Sequence, residues 1–188
     1  MTTLSLLAIV VASALVAFLL WRTFRTGGER APDDGYQQAL ELWISGERDE
    51  AVRVLTAVVK ANPSAVDPYL TLGNLLRRRG DPGRAAVLHR GLTLREELPR
   101  EKKITVGLAL AEDLVALQRW DEARGVLDTV MKDATDRALY WKTRFAQWHG
   151  QGNQPEAART LKAAPRFVPA GDRAWFTAAY AAYQLDRA

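Results

Sequence analysis

Four alanines recur at nearly constant distances along this 188-residue chain, and their spacing constrains the fold more than any other feature. Ala51, Ala85, Ala123 and Ala157 are separated by steps of 34, 38 and 34 residues. Each follows a short turn that ends in polar residues. A second set keeps the same rhythm sixteen residues earlier and comprises Gly35, Tyr69, Gly107, Trp141 and Trp175. A period of this length indicates an array of repeats in which each unit buries its apolar face against its neighbours.

Apolar spacing and helix punctuation predict two helices in every repeat. Apolar residues recur three and four positions apart, as helices require. Asp67-Pro68 and Asp81-Pro82 each offer a capping carboxylate before a proline, and Asn62-Pro63 ends a helix. The predicted helices are 34–45, 48–61, 67–79, 82–96, 101–118, 121–133, 136–149, 154–164 and 172–186. The sequence therefore predicts an all-α solenoid of four helix pairs plus one closing helix.

The alanines are expected to lie where the two helices of a pair cross closely. A larger side chain there would force the helices apart. A leucine stands four residues after three of these alanines, whereas His89 takes that place in the second pair. We predict a partly buried packing role for His89 and no ligand role. The four extra residues of the 38-residue step are expected in a longer connection near residues 97–100.

The first part of the chain reads as a membrane anchor. Leu4–Trp21 contains no charged residue, and a helix of that length is roughly 27 Å long, close to the thickness of a bilayer. Trp21 suits the interface, and Arg22 and Arg25 follow it while no basic residue precedes it, which predicts a cytoplasmic C-terminal side. A cleaved signal peptide is the alternative, but the basic start and the small-residue cleavage site are missing. The expected division is 1–25 anchor and basic flank, 26–31 linker and 32–188 repeat domain.

The composition of the chain and the motifs it lacks argue against catalysis and against metal binding. The chain has no cysteine and only two histidines, so thiolate and His-rich metal sites are not expected. Neither a G-x-S-x-G nor an H-E-x-x-H motif occurs. We therefore predict no enzymatic activity, no cofactor and no metal. A net charge of +4, without aromatics among the basic residues, gives no reason to expect a nucleic-acid partner.

Two clusters are candidate binding surfaces. The basic cluster, Arg77-Arg78-Arg79 with Arg84, is either a solvated helix end or a docking surface for an acidic partner or for anionic head groups. The second is a group of aromatics near the C-terminus, where Trp175 is predicted in the core because it keeps the repeat register. Phe176, Tyr180 and Tyr183 share one helix face. That face is expected to pack on the preceding pair, with an open partner surface as the alternative.

The period and the helix pairs resemble the tetratricopeptide repeat. Residues 36–130 further resemble the tetratricopeptide part of the lipopolysaccharide assembly protein B family. The resemblance covers Tyr36 to Asp49 and Ala65 to Leu92, and its centre is the run Leu-Gly-Asn-Leu-Leu-Arg-Arg-Arg-Gly at 72–80. The N-terminal membrane helix also matches. That family carries a C-terminal rubredoxin-like metal module built on paired Cys-x-x-Cys motifs, which this cysteine-free sequence is expected to lack.

The resemblance implies which residues bind a partner. In tetratricopeptide proteins the first helix of each pair lines a groove that holds partner proteins. In this chain that register gives Tyr36, Leu40, Trp43, Leu70, Asn74, Arg77, Leu108, Glu112, Lys142, Ala146 and His149. Asn74 and Arg77 are the leading candidates because they are polar and lie inside the run 72–80.

The resemblance also implies a role. The family restrains lipopolysaccharide synthesis by promoting turnover of the lipid A pathway deacetylase through a membrane-bound AAA+ protease. We therefore expect a single-pass inner-membrane adaptor with its repeats in the cytoplasm and a membrane-associated protein partner. A scaffold for another inner-membrane complex is the alternative, as is a periplasmic assembly factor if the topology is reversed. The partner's identity, its binding mode and the oligomeric state stay open.

Overall fold

A computed structural model describes residues 32–185, which form nine α-helices, one 3-10 turn and no strand. The helices are α1 (Pro32–Ile44), α2 (Arg48–Ala61), α3 (Val66–Arg78), α4 (Pro82–Thr93), α5 (Arg100–Ala116), α6 (Trp120–Ala134), α7 (Ala138–Gly150), α8 (Gln154–Ala163) and α9 (Ala170–Leu185), with the 3-10 turn at Ala164–Arg166. The predicted all-α architecture of four pairs and a closing helix is confirmed for this part of the chain.

The predicted anchor, 1–25 with Leu4–Trp21, Trp21, Arg22 and Arg25, lies outside the described residues, as does the linker 26–31. Between residues 32 and 185, no helix has the length and apolar character needed to cross a membrane.

Consecutive helices form the pairs α1–α2, α3–α4, α5–α6 and α7–α8, and α9 packs on α8. The first helices of neighbouring pairs also touch, so α5 contacts both α3 and α7. Ala51, Ala85, Ala123 and Ala157 are fully buried, in agreement with a close crossing inside each pair. Glycines lie at two further close approaches. A Cβ on Gly35 would stand 2.8 Å from Val58 Cγ2, and one on Gly107 would stand 2.7 Å from Val130 Cγ1.

The turns inside the four pairs have the same spacing along the chain as the four alanines. Gly46, Gly80, Gln118 and Gly152 all have positive φ and follow one another at the same steps of 34, 38 and 34 residues. After each of them, the next amide donates to a carbonyl five residues earlier, as Asp81 does to Leu76 at 2.9 Å. This hydrogen bond closes the end of the helix in the Schellman manner. Three of the four positions are glycine because a left-handed backbone is costly for a residue with a Cβ.

One of the two predicted caps is confirmed. The Asp81 side chain accepts a hydrogen bond from the Arg84 amide at 3.1 Å. Asp67 is not a cap, because α3 begins one residue earlier at Val66 and its carboxylate pairs instead with Lys102 Nζ.

The predicted longer connection is confirmed, since residues 94–99 separate the second and third pairs whereas 62–65 and 135–137 are shorter, but the 38-residue step also lengthens a helix. Helix α5 has 17 residues, whereas α3 and α7 have 13, and α5 gains about one turn at its start. Pro99 holds an extended backbone immediately before the helix, and Glu101 lies in the first turn, where an acidic residue is favourable. The added turn makes three ion pairs, Arg100–Asp133, Glu101–Arg137 and Lys102–Asp67.

The closing helix packs through the face that the sequence favoured. Phe176 is fully buried, and Tyr180 and Tyr183 pack partly buried against the same cluster. Trp175 is not in the core, however, since it is 45% exposed. In earlier pairs the second helix covers this register position, and within residues 32–185 no helix follows α9 to do so.

We expect Gln118→Gly to raise the free energy of unfolding by about 0.5–1 kcal/mol, because glycine adopts the left-handed backbone without a Cβ clash. Chemical denaturation followed by circular dichroism measures the change. Gly152→Ala is the matched control and should lower the stability by a similar amount. A Gln118→Gly protein less stable than the wild type would contradict this interpretation of the turn.

Candidate functional site

A pocket of about 300 Å³ opens where α3, α5 and α7 meet. Its lining, which we call the groove pocket, consists of Arg77, Glu112, Val115, Ala116, Leu139, Lys142, Thr143 and Ala146. The structure thus brings together Arg77 of α3, Glu112 of α5, and Lys142 and Ala146 of α7, all of which belong to the predicted groove register. The walls are mostly apolar, and the charged groups come from three different repeats.

Arg77 serves the fold as well as the pocket. Its guanidinium donates to Asp113 Oδ1 at 2.7 Å and to Glu112 Oε2 at 2.8 Å, so it joins α3 to α5 across two repeats. The Asp113 side chain is fully buried and that of Arg77 is mostly buried. A charge-assisted contact of this kind is costly to break from one side only, because the remaining charge stays buried.

Asp113 also forms a hydrogen bond with His89, which we predicted to be only partly buried. His89 is fully buried, with Nδ1 at 2.5 Å from Asp113 Oδ2 and Nε2 donating to the Leu70 carbonyl at 3.1 Å. Gly73 makes room for the ring, since a Cβ at that position would lie 2.6 Å from His89 Cε1. Arg77, Asp113, His89 and Gly73 thus form one buried network. Sequence reasoning missed Asp113 and Gly73, although a histidine in a leucine position was a signal that it needed a polar partner.

The other predicted groove residues do not join the groove pocket. Leu70 belongs to the core cluster beneath α5. The Tyr36 hydroxyl lies 2.9 Å from Thr71 Oγ1, and Trp43 lies under the guanidinium of Arg48.

Further predicted residues lie in aromatic or core contacts. His149 stacks on Phe145 and meets the edge of Tyr183, beside the closing helix. Leu108 is buried. The predicted set therefore divides into several environments, of which the groove pocket is one.

Asn74 is half-buried on α3, in line with the groove register. Its Oδ1 is shielded from solvent and has no hydrogen-bond donor within the described part of the chain. Buried polar atoms are nearly always bonded in folded proteins, so such an oxygen needs an explanation.

Lys142 and Glu112 set the electrostatics of the groove pocket. Lys142 makes no ion pair with any residue between 32 and 185, and its Nζ lies 4.6 Å from the centre of the Trp175 ring. Burial raises the pKa of Glu112 and outweighs the opposing effect of the neighbouring Arg77 guanidinium. The pocket can therefore receive an apolar side chain next to an anionic group, with Lys142 as the available cation.

The basic cluster is largely compensated from within the fold. Arg79 pairs with Asp49 of the preceding repeat at 2.9 Å, and Arg84 lies 3.6 Å from Asp81. Arg78 is exposed. Among residues 32–185, no three His, Asp or Glu side chains are grouped as a metal site would require.

Comparison with known proteins agrees with this geometry. Residues 36–90 match the tetratricopeptide repeat family model. Residues 36–90 therefore carry tetratricopeptide repeats. Proteins of this fold are typically non-catalytic scaffolds that bind other proteins. Lipopolysaccharide assembly protein B of Escherichia coli is 30% identical over 101 residues, which are 54% of this chain and 26% of that protein. The matching tetratricopeptide segment thus spans about a quarter of the curated relative.

Solved structures show the same fold. MamA from Desulfovibrio magneticus RS-1 superposes with a TM-score of 0.67 at 15% identity, covering 85% of this chain and 86% of MamA. A thermophilic TPR protein from Thermus thermophilus gives a TM-score of 0.62 at 23% identity, covering 84% and 83% of the two chains. At these identities the likeness establishes the tetratricopeptide fold alone.

We expect His89→Leu to lower the free energy of unfolding by about 2–4 kcal/mol, because it removes a buried partner of Asp113. Leucine fits the position, as Leu55 and Leu127 show in the first and third pairs. The double variant His89→Leu/Asp113→Leu should lose less than the sum of the single losses, by about 1 kcal/mol or more. Denaturation of all three variants measures the coupling, and strictly additive losses would contradict a shared network.

We expect Glu112 to make folding less favourable as the pH rises above the ordinary value of 4.5. Burial raises the pKa of Glu112 in the fold, so the folded state binds an extra proton between 4.5 and that raised value. Stability relative to Glu112→Gln should fall across this window and then level off. Denaturation at a series of pH values tests this. If the wild type instead became more stable relative to Glu112→Gln as the pH rises, the attraction of Arg77 would outweigh the effect of burial.

Proposed function

We propose that the chain is a protein-binding adaptor and that the groove pocket receives part of its partner. One observation carries the proposal, namely that Lys142 has no acidic partner within the described residues although it lines a mostly apolar pocket. Leu139, which is partly exposed, contributes to the same wall. Asn74 lies half-buried on the neighbouring helix α3, and its side chain is proposed as a second contact, although Oδ1 is shielded from solvent before the partner binds.

The role of Arg77 in this proposal is indirect. Its guanidinium is engaged by Asp113 and Glu112, so it positions the α5 wall of the pocket. Two residues of the family-like run 72–80, Gly73 and Arg77, are thus accounted for by repeat packing. Arg77 is engaged by Glu112 and Asp113, whereas the half-buried Asn74 side chain makes no ion pair, and this favours Asn74 over Arg77 as a contact with another protein.

We place this adaptor in lipopolysaccharide assembly at the bacterial inner membrane. The similarity to lipopolysaccharide assembly protein B over 101 residues supports the pathway, and the uncharged segment Leu4–Trp21 followed by Arg22 and Arg25 supports an anchor. In this proposal the repeats lie in the cytoplasm and promote turnover of the lipid A pathway deacetylase by holding a membrane-associated partner.

We expect deletion of the gene to raise the abundance of the deacetylase. Complementation with Lys142→Glu should leave it raised, because the reversed charge repels an anionic group on the partner. Quantitative immunoblotting measures the enzyme. Lys162→Glu, an exposed lysine on α8 outside the pocket, is the matched control and should restore the wild-type level. Arg77→Glu is a poor test because it also breaks the buried pair with Asp113.

The outcomes separate the alternatives. Unchanged deacetylase in the deletion strain would remove the role in lipopolysaccharide assembly and favour a scaffold of another inner-membrane complex. Normal complementation by Lys142→Glu would remove the groove pocket from the mechanism. Activity of a phosphatase that works only outside the cytoplasm, fused to the C-terminus, would contradict the topology and favour a periplasmic factor.

A further inference from the structure

The closing helix α9 carries an exposed tryptophan whose surroundings differ from those of its counterpart one repeat earlier. Trp141 is half-buried, its ring stacks on Phe167, and its indole N–H donates to the Thr135 carbonyl at 2.7 Å. Trp175 is 45% exposed, and within the described chain its indole N–H has no acceptor. Its ring meets that of Phe176 edge to face. Repeat packing therefore leaves part of the Trp175 ring available for another contact.

Lys142 of α7 uses part of that ring. Its Nζ lies 4.6 Å from the centre of the Trp175 ring, a distance at which the π electrons of an indole attract a cation. Arg95 and Arg144 also lie over aromatic rings, but Arg95 donates to two backbone carbonyls and Arg144 pairs with Asp128. Lys142 has neither kind of acceptor among the described residues. Its charge is therefore held in place by the indole and stays available to a ligand.

The contact with Trp175 restricts the positions that the ammonium of Lys142 can take. A lysine side chain has a long flexible stem and loses conformational freedom when it forms an ion pair. An ammonium that already rests on an indole has lost part of this freedom before a partner arrives, so that binding a carboxylate costs less. Trp175 does not line the groove pocket itself, and it acts there through Lys142.

The charges around the groove pocket favour an anionic ligand at Lys142. Arg77 lies between Glu112 and Asp113, at 2.8 and 2.7 Å, so both carboxylates are directed to Arg77 and neither pairs with Lys142. Next to the ammonium the wall is apolar, because Leu139 lies one helical turn earlier on α7 and is 39% exposed. A ligand that is complementary to this wall combines a carboxylate with an apolar neighbour.

We propose that Lys142 and Trp175 form a subsite for an acidic side chain of the partner protein, and that an apolar side chain beside it packs on the exposed part of the Trp175 ring. This inference rests on the function proposed above, since it concerns the same pocket. It extends the binding surface from α7 to α9 and assigns Trp175 as the residue that positions the ammonium. A second copy of the chain that covers Trp175 is the competing occupant.

A first experiment measures the position of the ammonium without a ligand. The lysines of the full chain, held in nanodiscs of zwitterionic lipid, are methylated with carbon-13 formaldehyde and a reductant, which keeps their charge, and the methyl signals are recorded by NMR. The signal that Lys142→Arg removes is that of Lys142. We expect the ring current of Trp175 to shift this signal upfield. The shift should be lost in Trp175→Leu and kept in part in Trp175→Phe.

A second experiment measures binding with two fluorescein-labelled peptides of about 12 residues. They differ only in one central residue, glutamate or glutamine, which has leucine on both sides. Fluorescence anisotropy in the same nanodiscs, corrected with empty ones, gives both affinities. We expect the wild type to prefer the glutamate peptide about tenfold and Lys142→Met to show no preference. Trp175→Leu should reduce the preference to about threefold, and Trp175→Phe should restore part of it.

Matched variants separate positioning from a general effect on the fold. In a Lys142→Met background, Trp175→Leu should leave the ratio of the two affinities unchanged, because the ring affects this ratio only through the ammonium. Lys162→Met, which changes an exposed lysine of α8, should keep the tenfold preference. If Trp175→Leu weakened both peptides equally, the role of the ring would be structural, and the proposal would be wrong.

The remaining outcomes distinguish this inference from the function on which it rests. No binding, or equal binding of the two peptides by the wild type, would overturn the function proposed for the groove pocket together with this inference. A preference that requires Lys142 but survives intact in Trp175→Leu would overturn this inference alone, as would a Lys142 signal without an upfield shift. A changed oligomeric state of Trp175→Leu, measured by sedimentation, would assign the exposed ring to a second copy.

Discussion

The close crossing of two helices at one small residue in every pair is the constraint on which the remaining structure depends. Ala51, Ala85, Ala123 and Ala157 are fully buried, so a larger side chain at any of them would displace its neighbours. This spacing sets the position of the first helices relative to one another. The groove pocket between α3, α5 and α7 is a consequence of that arrangement and needs no dedicated loop.

The second pair differs from the others because it has polar side chains in its interior. Gly73 stands in register with Ala39 and Ala111, which are fully buried. Loss of that one methyl group admits the imidazole of His89, and the imidazole in turn requires Asp113 as a partner. Because Asp113 also binds Arg77, a packing change inside one pair reaches the wall of the groove pocket. Buried charged groups of this kind fix which surfaces can meet more than they add to stability.

The sequence was sufficient for features that depend on period and was insufficient for those that depend on which faces meet. The number and order of the helices, the buried alanines and the packing of Phe176 followed from spacing and helix-end signals, whereas the helix ends differ from the predicted bounds by up to three residues. The burial of His89 did not follow from them, because Asp113 lies 24 residues away on the next pair and only the packing of α4 against α5 brings them together. Trp175 holds the expected repeat position but is exposed, because that position is buried only in a pair whose second helix covers it. Of the predicted groove residues, Arg77, Glu112, Lys142 and Ala146 converged on the groove pocket, whereas Leu70 and Leu108, on the same helices α3 and α5, are buried in the core.

The added turn of α5 has a consequence for how the array folds. A repeat array is held together by contacts between neighbours, and its ends open more readily than its centre. Arg100, Glu101 and Lys102 reach α6, the start of α7 and α3, so one helical turn joins three successive repeats. Asp113 of the same helix α5 also binds Arg77 of α3 and His89 of α4, so we expect the second and third pairs to form the most cooperative unit of the described chain. Folding is then expected to nucleate in the middle and to extend outwards, so that the outer pairs can open while the centre that carries the groove pocket stays intact.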